Sequence, residues 1–311
     1  MAVIPYPSPP GQTAIRLEWP HLPPWLRKEI ERRLGSPVVD AISQDGGFTP
    51  GLASILVCED GSRAFVKAAS IAAQRAFAGA YRDEARNLAL LPADVPAAPL
   101  RWMIDDEWVV LGIEYVEGRL PERPWTSSDL DACLDALERV ADRLTPPPAA
   151  MDLASARDEF ATWPAYWEKV AHRPHHEEAA ALAARYADAL TGTTLAHTDL
   201  RDDNVLVTPH GVVFCDWNWP IASTPWFDSL SLLIGPRGDG LDVEAVIAER
   251  PLLRDVPPQH LDIALALLAG YFLKCAADPF VHNSPHLRKH QAWQGEVCWE
   301  WLAERRGWDQ P

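Results

Sequence analysis

Short apolar runs cut by turn residues fill the chain as far as Glu114, and longer helical patterns follow. From Val38 to Ala68 the order reads strand, glycine turn, strand, hairpin, strand. The segment 45–51, Asp-Gly-Gly-Phe-Thr-Pro-Gly, separates the first two strands, and Asp60-Gly61 is a tight-turn pair before Ser62–Ala68. Ile71 to Leu91 predicts a helix whose one internal glycine is Gly79. Leu100–Ile104 and Trp108–Glu114 flank Asp105-Asp106-Glu107, a further hairpin. Residues 36–114 therefore predict a five-stranded antiparallel sheet plus one helix. Beyond a Gly/Pro connector at 118–124 the chain is mostly helical, at about 128–144, 155–171, 176–190, 226–234, 242–249, 258–276 and 285–306. Before the sheet, Pro23 to Leu34 reads as a short helix stopped by Gly35, and the Pro-rich residues 1–20 as an arm. The expected organisation is α+β in two lobes: arm and helix over 1–35, sheet lobe over 36–114, hinge over 115–118, helical lobe over 119–311.

Bulk properties narrow the functional classes. The 311 residues are 48% hydrophobic, ample for a core and long enough for two lobes. A net charge of −16 is a poor match for nucleic acid or an anionic membrane, and is compatible with a cationic small molecule. No apolar run approaches the roughly 20 residues of a membrane span. Met1 to Pro20 lacks a basic start followed by an apolar block, so no signal peptide is expected. The five cysteines are scattered and no pair has metal-ligand spacing, as for free thiols in a reducing cytoplasm. A cytoplasmic location follows as an expectation.

The densest chemistry lies at His197-Thr-Asp199-Leu-Arg201-Asp-Asp203-Asn204, followed by Val205-Leu206-Val207 and then by Val213-Phe214-Cys215-Asp216. The two β-rich runs predict a hairpin with a loop of about five residues, 208–212. With Val207 opposite Val213, the outer pair is Asn204 opposite Asp216. Opposed residues have Cα atoms about 4.5–5.5 Å apart. An amide oxygen and a carboxylate so placed suit Mg²⁺, a hard cation that takes a few protein oxygens plus phosphate oxygens. Asp199 precedes Asn204 by five residues and stands as a possible base.

A second constellation lies on the helix 71–91. Tyr81, Glu84, Leu88 and Leu91 all fall within about 40° of Phe77 at 100° per residue, so Glu84 sits in the apolar stripe. A carboxylate aimed at a core costs several kcal/mol unless paired, and Lys67 on the preceding strand is the candidate partner. The alternative is a Glu at a stripe edge that reaches water, with Lys67 on the strand surface. The loop 45–51, with Gly46 and Gly47, can cover phosphates with backbone N–H groups or can be a long hairpin turn.

Taken together these residues resemble the aminoglycoside phosphotransferase family, small-molecule kinases with the protein-kinase-like fold, over about residues 36–300. The resemblance implies a Mg²⁺-dependent transfer of the γ-phosphoryl group of ATP or GTP to a small-molecule hydroxyl. It implies that Lys67, held by Glu84, contacts the α/β-phosphates, and that Asp199 accepts or orients the proton of the attacking hydroxyl. Asn204 and Asp216 would hold Mg²⁺, and the backbone around Glu114–Val116 would receive the adenine ring. In Pro225-Trp226-Phe227-Asp228 the aspartate corresponds to one that braces the catalytic loop. Arg201 would neutralise the γ-phosphate or pair with an acidic residue. Departures matter as well. Asp216 is followed by Trp217-Asn218-Trp219, too little chain separates Asp216 from Asp228 for a protein kinase's activation segment, and no Ala-Pro-Glu follows. A small acceptor is implied rather than a protein.

For that acceptor, Trp217 and Trp219 follow the metal position directly, and Trp163 and Trp167 are either core or a stacking wall. Glu296, Glu300 and Glu304 recur every four residues, either an acidic stripe for a cationic antibiotic or a solvated helix face. Three readings stay open at this point: an antibiotic kinase, a metabolic kinase of choline, homoserine or sugar type, and a nucleotide-binding pseudokinase.

Overall fold

A computed structural model describes residues 3–7, 13–44 and 46–308. Asp45, the first residue of the expected glycine loop, and residues 1–2, 8–12 and 309–311 lie outside the described residues.

Helix α1 (Pro24–Leu34) precedes strands β1 (Val38–Ser43), β2 (Leu52–Cys58) and β3 (Arg63–Ser70). Helix α2 (Arg75–Leu90) follows, then β4 (Leu100–Asp105) and β5 (Trp108–Glu114). The strands form one antiparallel sheet in the order β1-β2-β3-β5-β4. Side chains alternate between its faces. Leu52, Leu56, Val66 and Val110 pack on Leu26 and Ile30 of α1. Val109, Leu111 and Ile113 pack on Ala78, Tyr81 and Ala85 of α2. The expected arm-and-helix unit thus supplies one cover of the sheet, and α2 supplies the other. Lys67 lies one residue out of step with Val66, so it faces α2.

The second lobe is helical. It holds α3 (Ser127–Arg143), α4 (Ala156–Glu159), a 3₁₀ helix over Trp163–Lys169, α5 (His176–Ala183) and α6 (Tyr186–Leu190). Four short strands follow: β6 (Thr194–Ala196), β7 (Val205–Thr208), β8 (Gly211–Phe214) and β9 (Ile221–Ser223). The rest is α7 (Phe227–Leu232), α8 (Ile234–Gly238), α9 (Val243–Glu249), α10 (Pro258–Ala276) and α11 (Leu287–Arg306). Two expected helices, 155–171 and 176–190, are each broken in two. Pro164 falls in the first turn of the 3₁₀ segment, where its fixed φ favours a fresh start over continuation. Helix α10 is buried for most of its length and is the lobe's axis. Gly270 lets Trp167 lie against it, since a Cβ there would fall 2.6 Å from the indole Nε1.

The β7–β8 hairpin corrects the expected register. Val205 pairs with Phe214, Val207 with Val212 and Thr208 with Gly211, leaving Pro209-His210 as a two-residue turn. Gly211, at φ 127°, makes the tighter turn possible and adds one residue to each strand. Asn204 consequently faces Cys215, whose N–H donates to the Asn204 carbonyl at 2.9 Å. Asp216 lies one residue further on.

Candidate active site

A cleft of about 390 Å³ opens between the sheet and the β7–β8 hairpin. Lys67 enters it from β3, Glu84 from α2, and Asn204 and Asp216 from the two ends of the hairpin. Gly46 and Gly47 line it from above, and Glu114, Tyr115 and Val116 from the back. Apolar side chains from both lobes, among them Ile55, Phe65, Leu206 and Phe214, form an apolar slot with Glu114–Val116.

Lys67 Nζ donates to both Glu84 oxygens at 2.8 and 2.9 Å. Lys67 is 6% exposed and Glu84 2%. A buried ion pair of this kind holds its geometry because separating it leaves an uncompensated charge. Lys67 also bonds Asp216, which ties the sheet lobe to the helical lobe across the cleft. Asp216 has φ 64°, a left-handed conformation that ends the strand and re-aims its carboxylate into the cleft. That turn compensates for the shifted register.

The catalytic-loop candidates are held by a chain of bonds. Asp228 accepts from the His197 N–H at 2.6 Å and the Thr198 N–H at 3.0 Å. Burial raises its carboxyl above the ordinary range, and the same N–H bonds work against that rise. His197 Nε2 lies 2.8 Å from the Cys215 carbonyl, and its Nδ1 accepts from the Asp199 N–H at 3.3 Å. Those partners fix the neutral tautomer protonated at Nε2, in line with the downward push of burial on its pKa. His197 is therefore a brace between the loop and the hairpin.

Asp199 is one-third exposed, while the adjoining Arg201 and Asp203 are mostly enclosed. One Asp199 oxygen is bonded by Arg201 and the other accepts from Asn204 Nδ2 at 3.1 Å. Burial pushes the Asp199 carboxyl up, opposed by the Arg201 guanidinium. Arg201 also grips Asp203 at 2.8 and 3.0 Å. Of the two expected roles for Arg201, pairing with an acidic residue is present twice over.

Asn204 Nδ2 is committed to Asp199, to its carbonyl at 2.8 Å and to its carboxylate. The amide oxygen is left as the group to face the cleft. That oxygen and the Asp216 carboxylate make a small, hard donor set. Among the described residues no group of three or more His, Cys, Asp and Glu can hold a metal by itself. A pair of oxygens fits Mg²⁺, which keeps waters and takes phosphate oxygens for the remainder.

Several residues here carry no sequence signal. Arg16 reaches in from the arm and donates to the Thr49 carbonyl at 2.7 Å and to that of Gly46. Thr13 donates to the Gly47 carbonyl, and Ser284 to that of Phe48. Phe48 sits 4.9 Å from the His290 ring and under the Arg201 guanidinium. The glycine loop is thus fastened to the arm and to the helical lobe at its tip. Asp203, flanked by Asp202 and Asn204, is a missed residue that lay inside a recognised motif.

The tryptophans divide sharply. Trp217 is buried, with Nε1 donating to the Phe214 carbonyl at 2.9 Å, and it packs edge-on to His197. Trp167 is buried with Nε1 on the Ala266 carbonyl. Both are core, which removes Trp217 from the acceptor candidates. Trp219 is exposed and Trp163 stands behind it. The acidic stripe is also engaged elsewhere, with Glu296 paired to Arg173 and Glu304 to Arg237.

No family model and no curated protein matches the sequence. Solved structures do match. An aminoglycoside phosphotransferase crystallised with ADP and hygromycin B gives a TM-score of 0.62 at 14% identity, over 90% of this chain and 98% of that one. A choline kinase from Streptococcus pneumoniae gives 0.60 at 16% identity, over 90% and 98%. A spectinomycin phosphotransferase with ADP and spectinomycin gives 0.60 at 10% identity, over the same shares. Among the described residues no helix is long and apolar enough to cross a membrane. At these identities the likeness establishes the architecture: the chain has the two-lobed, protein-kinase-like fold that these small-molecule phosphotransferases share.

Proposed function

We propose that the protein transfers the γ-phosphoryl group of ATP or GTP to a hydroxyl of a small molecule. The observation that carries this reading is one cleft lined by the buried Lys67–Glu84 pair, Asn204 and Asp216, with Asp199 bonded to Asn204 at its edge. The purine would enter the slot at Glu114–Val116, and Lys67 would exchange its Asp216 contact for phosphate oxygens. Gly46 and Gly47 would lie over the phosphates. Mg²⁺ held by Asn204 and Asp216 would neutralise charge on the β- and γ-phosphates. Asp199 supplies the acceptor for the hydroxyl proton. Arg201 and Asn204 fix its two oxygens, so the carboxylate is oriented before the acceptor arrives. Arg201 places a permanent cation beside the position of the transferring group, where negative charge must be balanced.

The similar structures include an antibiotic kinase and a choline kinase at nearly equal scores, so the fold does not choose between antibiotic and metabolic acceptors. All five polar groups of the transfer apparatus are present, which favours catalysis over mere nucleotide binding.

The test has two readouts. ATP with Mg²⁺ should raise the melting temperature of the wild type and of Asp199→Asn alike. Transfer should fall about 10²–10⁴-fold in Asp199→Asn, the usual contribution of a positioned general base. Transfer is followed by mass spectrometry as one added phosphate across a panel of hydroxylated antibiotics and metabolites. Full turnover by the variant, or no nucleotide binding by the wild type, overturns the reading.

A further inference from the structure

A run of aromatic rings leads away from Asp199 over the helical lobe. Thr198 donates its hydroxyl to the Trp219 carbonyl at 2.7 Å, which hangs Trp219 beside the catalytic loop. Trp219 is 38% exposed. Its ring lies 6.3 Å from that of Trp163. Trp163 stacks on Tyr271 at 3.9 Å with planes 14° apart, and Tyr271 lies 6.3 Å from Tyr166. Trp163 is the buried backing of this ladder, while Tyr271 and Tyr166 are half-buried. Burial, then Cys275 and Asp199, push the Tyr271 phenol up, so the ring lies within electrostatic reach of the catalytic carboxylate.

The opposite flank of Asp199 is taken up by charged side chains. Arg201 and Asp203 fill it, and Phe48 and His290 pack beyond them. A hydroxyl that is to meet Asp199 therefore comes in along the aromatic flank. The cation on that flank is already matched. Lys274 lies 5.1 Å from the Tyr166 ring centroid and is bonded to Asp278 at 2.8 Å. A lone cation would compete with Lys274 for the Tyr166 face. What the flank offers is ring surface, which suits an aryl group or the CH face of a sugar.

We infer that the acceptor is a neutral molecule that lays a flat apolar face on Trp219 and Tyr271 and presents its hydroxyl to Asp199. This rests on the kinase reading, and the experiment separates the two. Protein saturated with AMP-PNP and Mg²⁺ is titrated with three probes under saturation-transfer NMR: 4-methoxyphenyl β-glucoside, kanamycin and choline. The neutral glucoside should bind saturably and more tightly than either cation. Its Kd should rise about tenfold in Trp219→Ala, as expected for loss of one stacking partner, and stay near the wild-type value in Trp219→Phe. Tighter binding of kanamycin or choline, no saturable binding of the glucoside, or an unchanged Kd in Trp219→Ala overturns the inference. AMP-PNP affinity is measured on the same samples. If AMP-PNP binds and the glucoside does not, only this inference falls; if AMP-PNP fails to bind, the kinase reading falls with it.

Discussion

The two flanks of Asp199 are built from different materials. On the proposed nucleotide side, charge answers charge: Lys67 with Glu84 and Asp216, Arg201 with Asp199 and Asp203. On the proposed acceptor side the surface is ring, from Trp219 through Trp163 and Tyr271 to Tyr166. The difference tracks what each flank must do. A triphosphate with Mg²⁺ presents the same charges every time, so fixed counter-charges can be prepared for it. An uncharged acceptor offers no such handle, and stacking surface holds it without choosing a single hydrogen-bond pattern. The proposed nucleotide side should therefore be intolerant of substitution for stability as well as activity, and the proposed acceptor side chiefly for affinity.

Glu84→Ala is the strongest way to break that contrast. It leaves Lys67 buried with only Asp216 as partner. Removing one member of a buried pair costs about 3–5 kcal/mol, and the remaining contact places this case near 3. Chemical denaturation should show that loss, and ATP with Mg²⁺ should no longer stabilise the variant. A loss below about 1 kcal/mol, the range of exposed pairs, would mean that the pair is not held as described.

The next largest effect is one of pH, on the flank taken up by charged side chains. His290 is buried beside Arg201, Asp203 and Arg123, accepts or donates through Nδ1 to Tyr6, and lies against Phe48. Burial, then Arg201, lower its pKa from 6.5 to about 3. The unfolded chain therefore binds a proton near pH 6.5 that the folded chain refuses until about pH 3. Stability from this group is complete above pH 6.5 and is lost as pH falls toward 3, by about 2 kcal/mol between pH 7 and pH 5. In His290→Gln that share of the pH dependence should vanish, read as the difference between the two unfolding curves at pH 7 and pH 5. Parallel curves for the two proteins would show that the flank is wetter than its packing implies.

The same contrast governs what could be read in the chain. The apparatus proposed for the nucleotide sits at short, regular spacings. Glu84 betrays itself by standing in an apolar helical stripe, and Asp199, Asn204 and Asp216 fall within one loop and its hairpin. A strand-helix-strand order carried by hairpins is local, so the five-stranded sheet was legible too. The hairpin register was not: Thr208-Pro209-His210-Gly211-Val212 permits a five-residue loop, and only the positive φ of Gly211 decides for two. The aromatic flank was not legible because its rings come from three segments, near 163, 219 and 271, that only tertiary packing brings together. The arm's Thr13 and Arg16 have no periodicity to announce that they grip the glycine loop.

Trp219→Ala is the smallest effect and the one that sharpens the contrast most. With 38% of its surface exposed and its backbone carbonyl already held by Thr198, the ring contributes less to the fold than a fully buried tryptophan. Its removal should cost about 1 kcal/mol, the middle of the range for single substitutions. Trp167→Ala, by comparison, should cost about 3–5 kcal/mol, because that indole is 1% exposed, bonded to Ala266 and seated over Gly270. Denaturant midpoints measured side by side decide the matter. If Trp219→Ala destabilises as Trp167→Ala does, the outer ring belongs to the core, and the aromatic flank is packing rather than a surface left open for a ligand.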